Sequence, residues 1–397
     1  MSNDKVLLVV HANIVLYALC FWLTNPVLPY LLKEHGATSL SFGYFQALFN
    51  VVQLFGGLLV GDLQDRYSGS TALSITQIGS AAVYGLMFSA HSLDLLYLSR
   101  IPTILQQSMQ VAQACVSKAS EGETRTVSLG RLSLSYSAGM VVGSLLSGRI
   151  AEHFGNRAPA LIAFGLSVLI VIVNKFTLGE LATVEDDANG KKDDDGKKGG
   201  EKGKEKEKPK VRGGLRGYLK LVLDLKKVVI FLALMFSTRS LYEPVYSLTL
   251  LEKFEVKQST MGTLMSAFAG IGFVSNVILL PALLKVVSEP SLTKTAIASA
   301  AACYGLLAVL PADFYTYIGV FCLMTLASAM LYTLSTSYIS RCTSKSVHGQ
   351  AIALSHSLRS VVGIGCPVAG TYLLSTFGGG SVAALNCGLL VLSAAMA

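Results

Sequence analysis

VEDDANGKKDDDGKKGGEKGKEKEKPKVR, residues Val184–Arg212, decides how this chain is read. Lysine, aspartate, glutamate and glycine fill it, aromatic residues are missing, and no part of it can build a core. The sequence on either side is apolar. Of 397 residues 52% are hydrophobic and only 14% charged, with a mean hydropathy of +0.55. A soluble domain carries about 25% charged residues. The chain therefore reads as two greasy halves of similar length joined by a soluble, disordered loop. That is the outline of a polytopic membrane protein built from two bundles, an outline common among secondary transporters.

Working outward from the loop, apolar runs of spanning length fall at 6–32, 43–60, 71–90, 94–116, 128–150 and 158–180. Beyond it they fall at 228–251, 259–285, 293–310, 314–339, 349–375 and 380–397. Each is close to the ~20 residues needed to cross ~30 Å of hydrocarbon. The fold class expected is all-α, with twelve transmembrane helices in two six-helix bundles. The boundaries are 1–181 for the first bundle, 182–227 for the loop and its flank, and 228–397 for the second. The run from Val6 to Leu32 is long enough to span and has no A-x-A-like cleavage site after it, so it reads as a helix and not as a signal peptide.

The formal charge of +8 does not indicate nucleic acid. From Ala182 to Arg212 nine lysines and Arg212 face nine acidic residues, so the loop is nearly neutral. The positive excess sits in short loops and helix ends. Arg66, Lys118, Arg125, Lys285, Lys294, Arg341 and Lys345 fall on the side of the central loop, which the positive-inside rule makes cytoplasmic together with both termini. Residues 215–229, LRGYLKLVLDLKKVV, are basic and amphipathic. They read either as the flank of the seventh helix or as a contact for anionic lipid headgroups. The seven cysteines (Cys20, Cys115, Cys303, Cys322, Cys342, Cys366, Cys387) form no C-x-x-C and read as small hydrophobes in helix packing. No metal set, Walker loop, G-x-S-x-G or H-E-x-x-H is present, so no enzyme and no cofactor are expected, and transport must draw on gradients.

Charges inside hydrocarbon are expensive, which makes them functional candidates. The seventh helix carries RSLYEPVY, residues 239–246. Arg239 and Glu243 share a face; Tyr242 and Tyr246 border it, and Pro244 is able to break the helix locally. A carboxylate between tyrosines suits an organic cation or a proton; equally, Arg239 and Glu243 read as an ion pair within one helix. Arg100 in the fourth helix and Arg359 in the eleventh are further candidates, Arg100 also reading as an arginine that snorkels to the interface. His356 reads as a proton relay or as a packed, hydrogen-bonded histidine. Gln46, Asn50 and Gln53 make an amide stripe on helix two, and Gln106 and Gln110, with Gln113, make another on helix four. Such stripes line water or bond helix to helix; two in one half favour a wet cavity. Asn13 and Tyr17 share a face of helix one, and Asn276 lies on helix eight. Glycines repeat at matching spacing, Gly143 and Gly148 in SAGMVVGSLLSG and Gly365 and Gly370 in RSVVGIGCPVAG, where small residues allow helices to approach and rock.

The loop GDLQDRYSG, residues 61–69, resembles the G-x-x-x-D-R-x-G signature of the major facilitator superfamily, with one residue more between Arg66 and the final glycine. Within that superfamily, FGYFQALFNVVQLFGGLLVGDLQD (42–65) and LGRLSLSYSAGMVVGSLLSGRIAEHFG (129–155) are similar to helices two and five of the organic-cation-transporter-like carriers of solute carrier family 22. The resemblance implies the twelve-helix fold, kinship with proton-coupled drug antiporters of organic cations, and a gating latch at Gly61, Asp65 and Arg66. The expectation is a secondary transporter of a small organic solute, exchanged for protons. An organic-anion carrier or uniporter is the alternative, and a transporter-shaped receptor or scaffold a further one.

Overall fold

The computed structural model describes residues 3–119, 122–177, 225–310, 313–341 and 348–396. The central segment and its flank up to residue 224, Cys342 and Lys345 lie outside them. Every regular element among the described residues is helical: α1 Asn3–Thr24, α2 Leu28–Glu34, α3 Ser39–Arg66, α4 Gly69–Ser89, α5 Leu93–Leu98, α6 Ser108–Ala119, α7 Gly122–Phe154 and α8 Ala158–Thr177 form the first half. The second half has α9 Lys226–Glu252, α10 Gln258–Val274, α11 Leu280–Leu284, α12 Glu289–Val309, α13 Phe314–Arg341, α14 His348–Phe377 and α15 Gly379–Ala394. In hydrocarbon each backbone N–H must find a partner within the segment, and an apolar run there becomes helix. The twelve expected spans form, in two six-helix bundles. Nine helical segments among the described residues are long and apolar enough to cross a membrane. The fourth span is interrupted, α7 is more polar and α15 is shorter, so these three are not among them.

Polar residues set the helix starts. The side chains of Thr38, Ser68 and Ser92 accept from the backbone N–H of Ser41, Thr71 and Leu95 at 3.2, 3.3 and 3.3 Å, capping α3, α4 and α5. Prolines explain three departures from continuous helix. The first span breaks between Thr24 and Leu28, where Pro26 disfavours helical geometry in the residue before it. The fourth span, expected as one helix over 94–116, is α5, a 3₁₀ turn at Ile101–Leu105 containing Pro102, and α6. In the eighth span a π turn at Ser275–Leu279 precedes Pro281, which cannot donate to the carbonyl of Val277. Pro244, able to break its helix, does not: α9 runs unbroken from Lys226 to Glu252. Pro244 is buried there, and helices are tolerant of proline where neighbours re-satisfy the freed carbonyl.

The first half packs α1 on α7 and α4 on α8; the second packs α9 on α14 and α12 on α15. Across the halves, α7 meets α10 and α3 meets α14. The cross-half contacts gather at the end remote from Thr177 and Lys226, here termed distal. The Tyr30 hydroxyl donates to the carbonyl of Val256. Ser39 donates to both carboxylate oxygens of Glu252 at 3.1 and 3.2 Å, and Gln258 donates to Asn156 at 3.2 Å. Tyr30 also inserts into the apolar core of the second half, and Leu248 into that of the first. Gly148 of α7 lies so close to α10 that a Cβ would fall on the carbonyl of Gln258, and one on Gly43 of α3 would meet Thr371 and the backbone of Pro367 in α14. The distal ends of the two bundles are therefore shut against each other.

Candidate functional site

Beneath this closure lies a cavity of about 530 Å³, walled by both halves. It runs from Asn25 and Phe42 near the distal end towards Ser133 and Thr333 nearer the other. Arg239 and Glu243 of α9 both line it. Nε of Arg239 lies 4.0 Å from Oε2 of Glu243, and the two side chains are 64% and 59% exposed. The helix turns both charges into open, wet space, and the ion pair between them is loose. An exposed pair one turn apart contributes only about 0.3–0.5 kcal/mol, so it does not close the site.

Tyr242 and Tyr246 sit one turn apart on a neighbouring face of α9 and are almost fully buried, at 4% and 3% exposure. They join aromatic residues from other spans. The Tyr242 and Tyr317 hydroxyls lie 3.2 Å apart. Tyr242 meets Tyr304 edge-on at 5.1 Å, while Tyr246 stacks on Phe321 at 3.9 Å and meets Phe268 edge-on at 5.5 Å. The Tyr246 hydroxyl is buried without a hydrogen-bond partner among the described residues. An aromatic wall with an unspent hydroxyl thus stands beside the carboxylate.

The other candidates divide. Gln46 lines the cavity. Asn50 donates to the carbonyl of Gln46 at 2.9 Å, and its amide covers Gly363 of α14. Gln53 donates to the carbonyl of Thr103 at 3.2 Å, Gln110 to that of Gly57 at 3.2 Å, and Gln106 to the Tyr84 hydroxyl at 3.0 Å. These three join helices within the first half, and the expected wet stripe reduces at the cavity wall to Gln46. Asn13 pairs reciprocally with Asn174 of α8, each amide donating to the other at 2.9 Å. Tyr17 donates to the carbonyl of Gln106 at 3.3 Å.

Arg100 does not snorkel. It is buried at the end of α5, its guanidinium 4.2 Å from the Phe45 ring centroid and 5.6 Å from that of Phe49, with Nε unpartnered among the described residues. Arg359 is exposed; its Nη1 donates to the Tyr332 hydroxyl at 2.7 Å, and Tyr332 lines the cavity. The side chains of His356 and Asp65 lie outside the described residues. Arg66 pairs with Asp62 on its own helix at 2.8 Å, and Gly61 faces the amide of Gln110. Gly143 packs on the backbone of Leu19 and Gly370 on that of Leu241, whereas nothing approaches Gly365. No cluster of metal-binding side chains occurs among the described residues.

Sequence reasoning missed Tyr304, Tyr317, Phe321 and Phe268, which come from the ninth, tenth and eighth spans. It also missed Trp22, whose Nε1 donates to the Tyr136 hydroxyl at 3.1 Å. Aromatic residues at helical spacing look alike whether they fill a core or wall a cavity.

Comparisons with known proteins bear on what such a cavity is for. The family profile described as Major Facilitator Superfamily matches residues 10–313. Over 190 residues the chain is 31% identical to solute carrier family 22 member 18 of Mus musculus, covering 47% of each protein. Over 187 residues it is 30% identical to the class C tetracycline resistance protein of Escherichia coli, covering 45% of this chain and 46% of that one. The matched stretches thus span about half the length of the curated relatives. The fold is similar, at a TM-score of 0.74 and 12% identity, to the crystal structure of a bacterial homolog to the human lysosomal transporter Spinster. That match covers 99% of this chain and 96% of the other.

Proposed function

The chain belongs to the Major Facilitator Superfamily, and from that premise we propose that it is a secondary transporter that exchanges an organic cation for protons by alternating access. Glu243 carries the reading. Among the described residues lining the cavity it is the carboxylate, and it stands half-open to water beside an aromatic wall. A carboxylate holds either a proton or a cation, and exclusive occupancy couples the two flows. Tyr242, Tyr246 and Phe321 offer aromatic surface for the solute's apolar part and cation–π attraction for its charge. Arg239, loosely paired, leaves most of the Glu243 carboxylate open to the solute.

Closure at the distal end supports a cycle in which the bundles, 1–181 and 228–397, rock about the cavity. In this reading both termini and residues 182–227 are cytoplasmic, the cavity opens inward, and residues 215–229 rest on anionic headgroups. Gly61, Asp65 and Arg66 latch the opposite gate. Arg100 and His356 serve the proton, and the amides of Asn50, Gln53, Gln106 and Gln110 hold the first half in register around Gln46.

A second reading, organic-anion transport, is favoured by Arg239 and Arg359 standing open beside a single carboxylate. Efflux of ethidium from proteoliposomes, with and without an imposed pH gradient, tests the first. Wild type accelerates efflux when the gradient is applied; Glu243→Gln does not respond. Gradient-driven efflux that survives Glu243→Gln unchanged would sink the assignment. Inhibition by organic anions without pH dependence would favour the second reading.

A further inference from the structure

The charges around the cavity are mismatched for either reading taken alone. Arg239 and Glu243 approach each other only at Nε and Oε2, 4.0 Å apart, and each is more than half exposed. Arginine has five N–H donors and carboxylate two acceptor oxygens, so most of this capacity is left for a third party. A second guanidinium, the exposed Arg359 of α14, stands at the cavity's edge, against Tyr332 of its wall. A neutral hydroxyl, that of Tyr332, holds it at 2.7 Å, and among the described residues no carboxylate lies within 4.0 Å of it. Tyr332 lines the same cavity as Arg239 and Glu243, so the three charged groups adjoin one space although they come from two helices.

A solute with only a cation meets Glu243 but also two guanidinium groups that repel it. A solute with only an anion suits Arg359 and leaves Glu243 repelling it. A solute bearing both signs satisfies both poles. Between them the wall is apolar and aromatic, formed by Phe321, Tyr242 and Met324. The volume of about 530 Å³ lies within the range of sites for multi-ring organic molecules.

We propose that the cavity takes an amphoteric solute, with an ammonium-type group on Glu243, a carboxylate-type group on Arg359, and an apolar ring system between them. The inference rests on the reading of this cavity as the solute site, and not on proton coupling. Bidentate recognition of a carboxylate is the task for which a guanidinium is suited, and the Tyr332 hydroxyl acts by aiming it.

Three probes on one scaffold test this: 5-(aminomethyl)-1-naphthoic acid, its methyl ester, and its N-acetyl derivative. The first carries both charges, the second only the cation, the third only the anion. Binding to the full chain in detergent is read by calorimetry. The amphoteric acid is expected to bind about tenfold or more tighter than either derivative, the worth of one charge-assisted contact. Arg359→Gln should reduce the acid to the affinity of the ester, and Glu243→Gln to that of the N-acetyl compound. Tyr332→Phe, which keeps the charge and loses its guide, should weaken the acid and leave the ester unchanged. Equal binding of ester and acid to wild type overturns the amphoteric assignment while leaving a cation site standing. Equal binding of N-acetyl compound and acid overturns it in favour of an anion site. Binding of none of the three overturns both this proposal and the assignment of the cavity.

Discussion

Replacing Gly148 with alanine should open the distal end. At this position α7 and α10 meet backbone to backbone. A Cβ on Gly148 falls on the carbonyl of Gln258 and beside the Cα of Ser259, and Gly262 from α10 reaches back to the carbonyl of Ser144. No flexible side chain is available to move aside, so relief requires the helices themselves to part. Overpacking of this kind costs about 1–3 kcal/mol. Since 1.4 kcal/mol is a factor of ten, the closed population should fall by roughly 5- to 150-fold relative to the open one. The strain exists only where the bundles touch, so the substitution acts on the equilibrium between states more than on folding. Cysteines placed at Ser39 and Glu252, whose side chains touch at 3.1 Å, report closure by oxidative cross-linking. In the Gly148→Ala background the cross-link should form several-fold more slowly. Gly365→Ala supplies the control, because nothing lies within 4 Å of the position its Cβ would take. A cross-linking rate unchanged by Gly148→Ala, or slowed equally by Gly365→Ala, refutes the argument.

Other expectations follow from the same geometry. Arg239→Gln should change the thermal unfolding temperature little, because the exposed 4.0 Å pair contributes only about 0.3–0.5 kcal/mol, while shifting the affinity for organic cations; a large loss of stability would contradict the loose pairing. Asn13→Leu leaves the Asn174 amide buried and alone, at a cost of about 1–3 kcal/mol, and the double replacement Asn13→Leu/Asn174→Leu should recover part of it. A thermal-shift double-mutant cycle measures the coupling. Arg100→Leu should leave thermal stability unchanged or higher, because a buried guanidinium that meets only aromatic rings among the described residues does not recover its desolvation cost. A sharp fall in unfolding temperature would mean that Arg100 has an anionic partner.

The twelve spans and two bundles were legible because hydrophobic run length is a one-dimensional signal in hydrocarbon. Breaks inside those runs were harder. Pro102 interrupts the fourth span and Pro244 does not interrupt the seventh, although both sit in apolar sequence; the outcome depends on which neighbours accept the freed carbonyls. The charged pair at Arg239 and Glu243 was legible from its spacing, since four residues place both on one face of a helix. The amide stripes were legible as stripes and misleading as cavity. Periodicity gives the face on which Gln53, Gln106 and Gln110 lie, but not that Gln53 and Gln110 bind α3 to the fourth span while Gln106 turns to Tyr84 of α4. The aromatic wall was hidden because Tyr246, Phe268 and Phe321 are far apart in sequence, and only the packing of three helices gathers them.

The interrupted fourth span has a mechanical meaning. A helix with a gap from Arg100 to Gln107 ought to be a weak joint. Instead, Gln53 ties to the carbonyl of Thr103, Tyr17 to that of Gln106, and Gln107 to the carbonyl of Gln53 at 3.3 Å, so α1 and α3 stitch the gap. Bending the span would tear bonds to two other helices. The first half is thereby stiffened across the break, and the interrupted span is held as firmly as a continuous one. Under the proposed alternating access, bending would then fall to the glycine contact between α7 and α10 and not to the visible break.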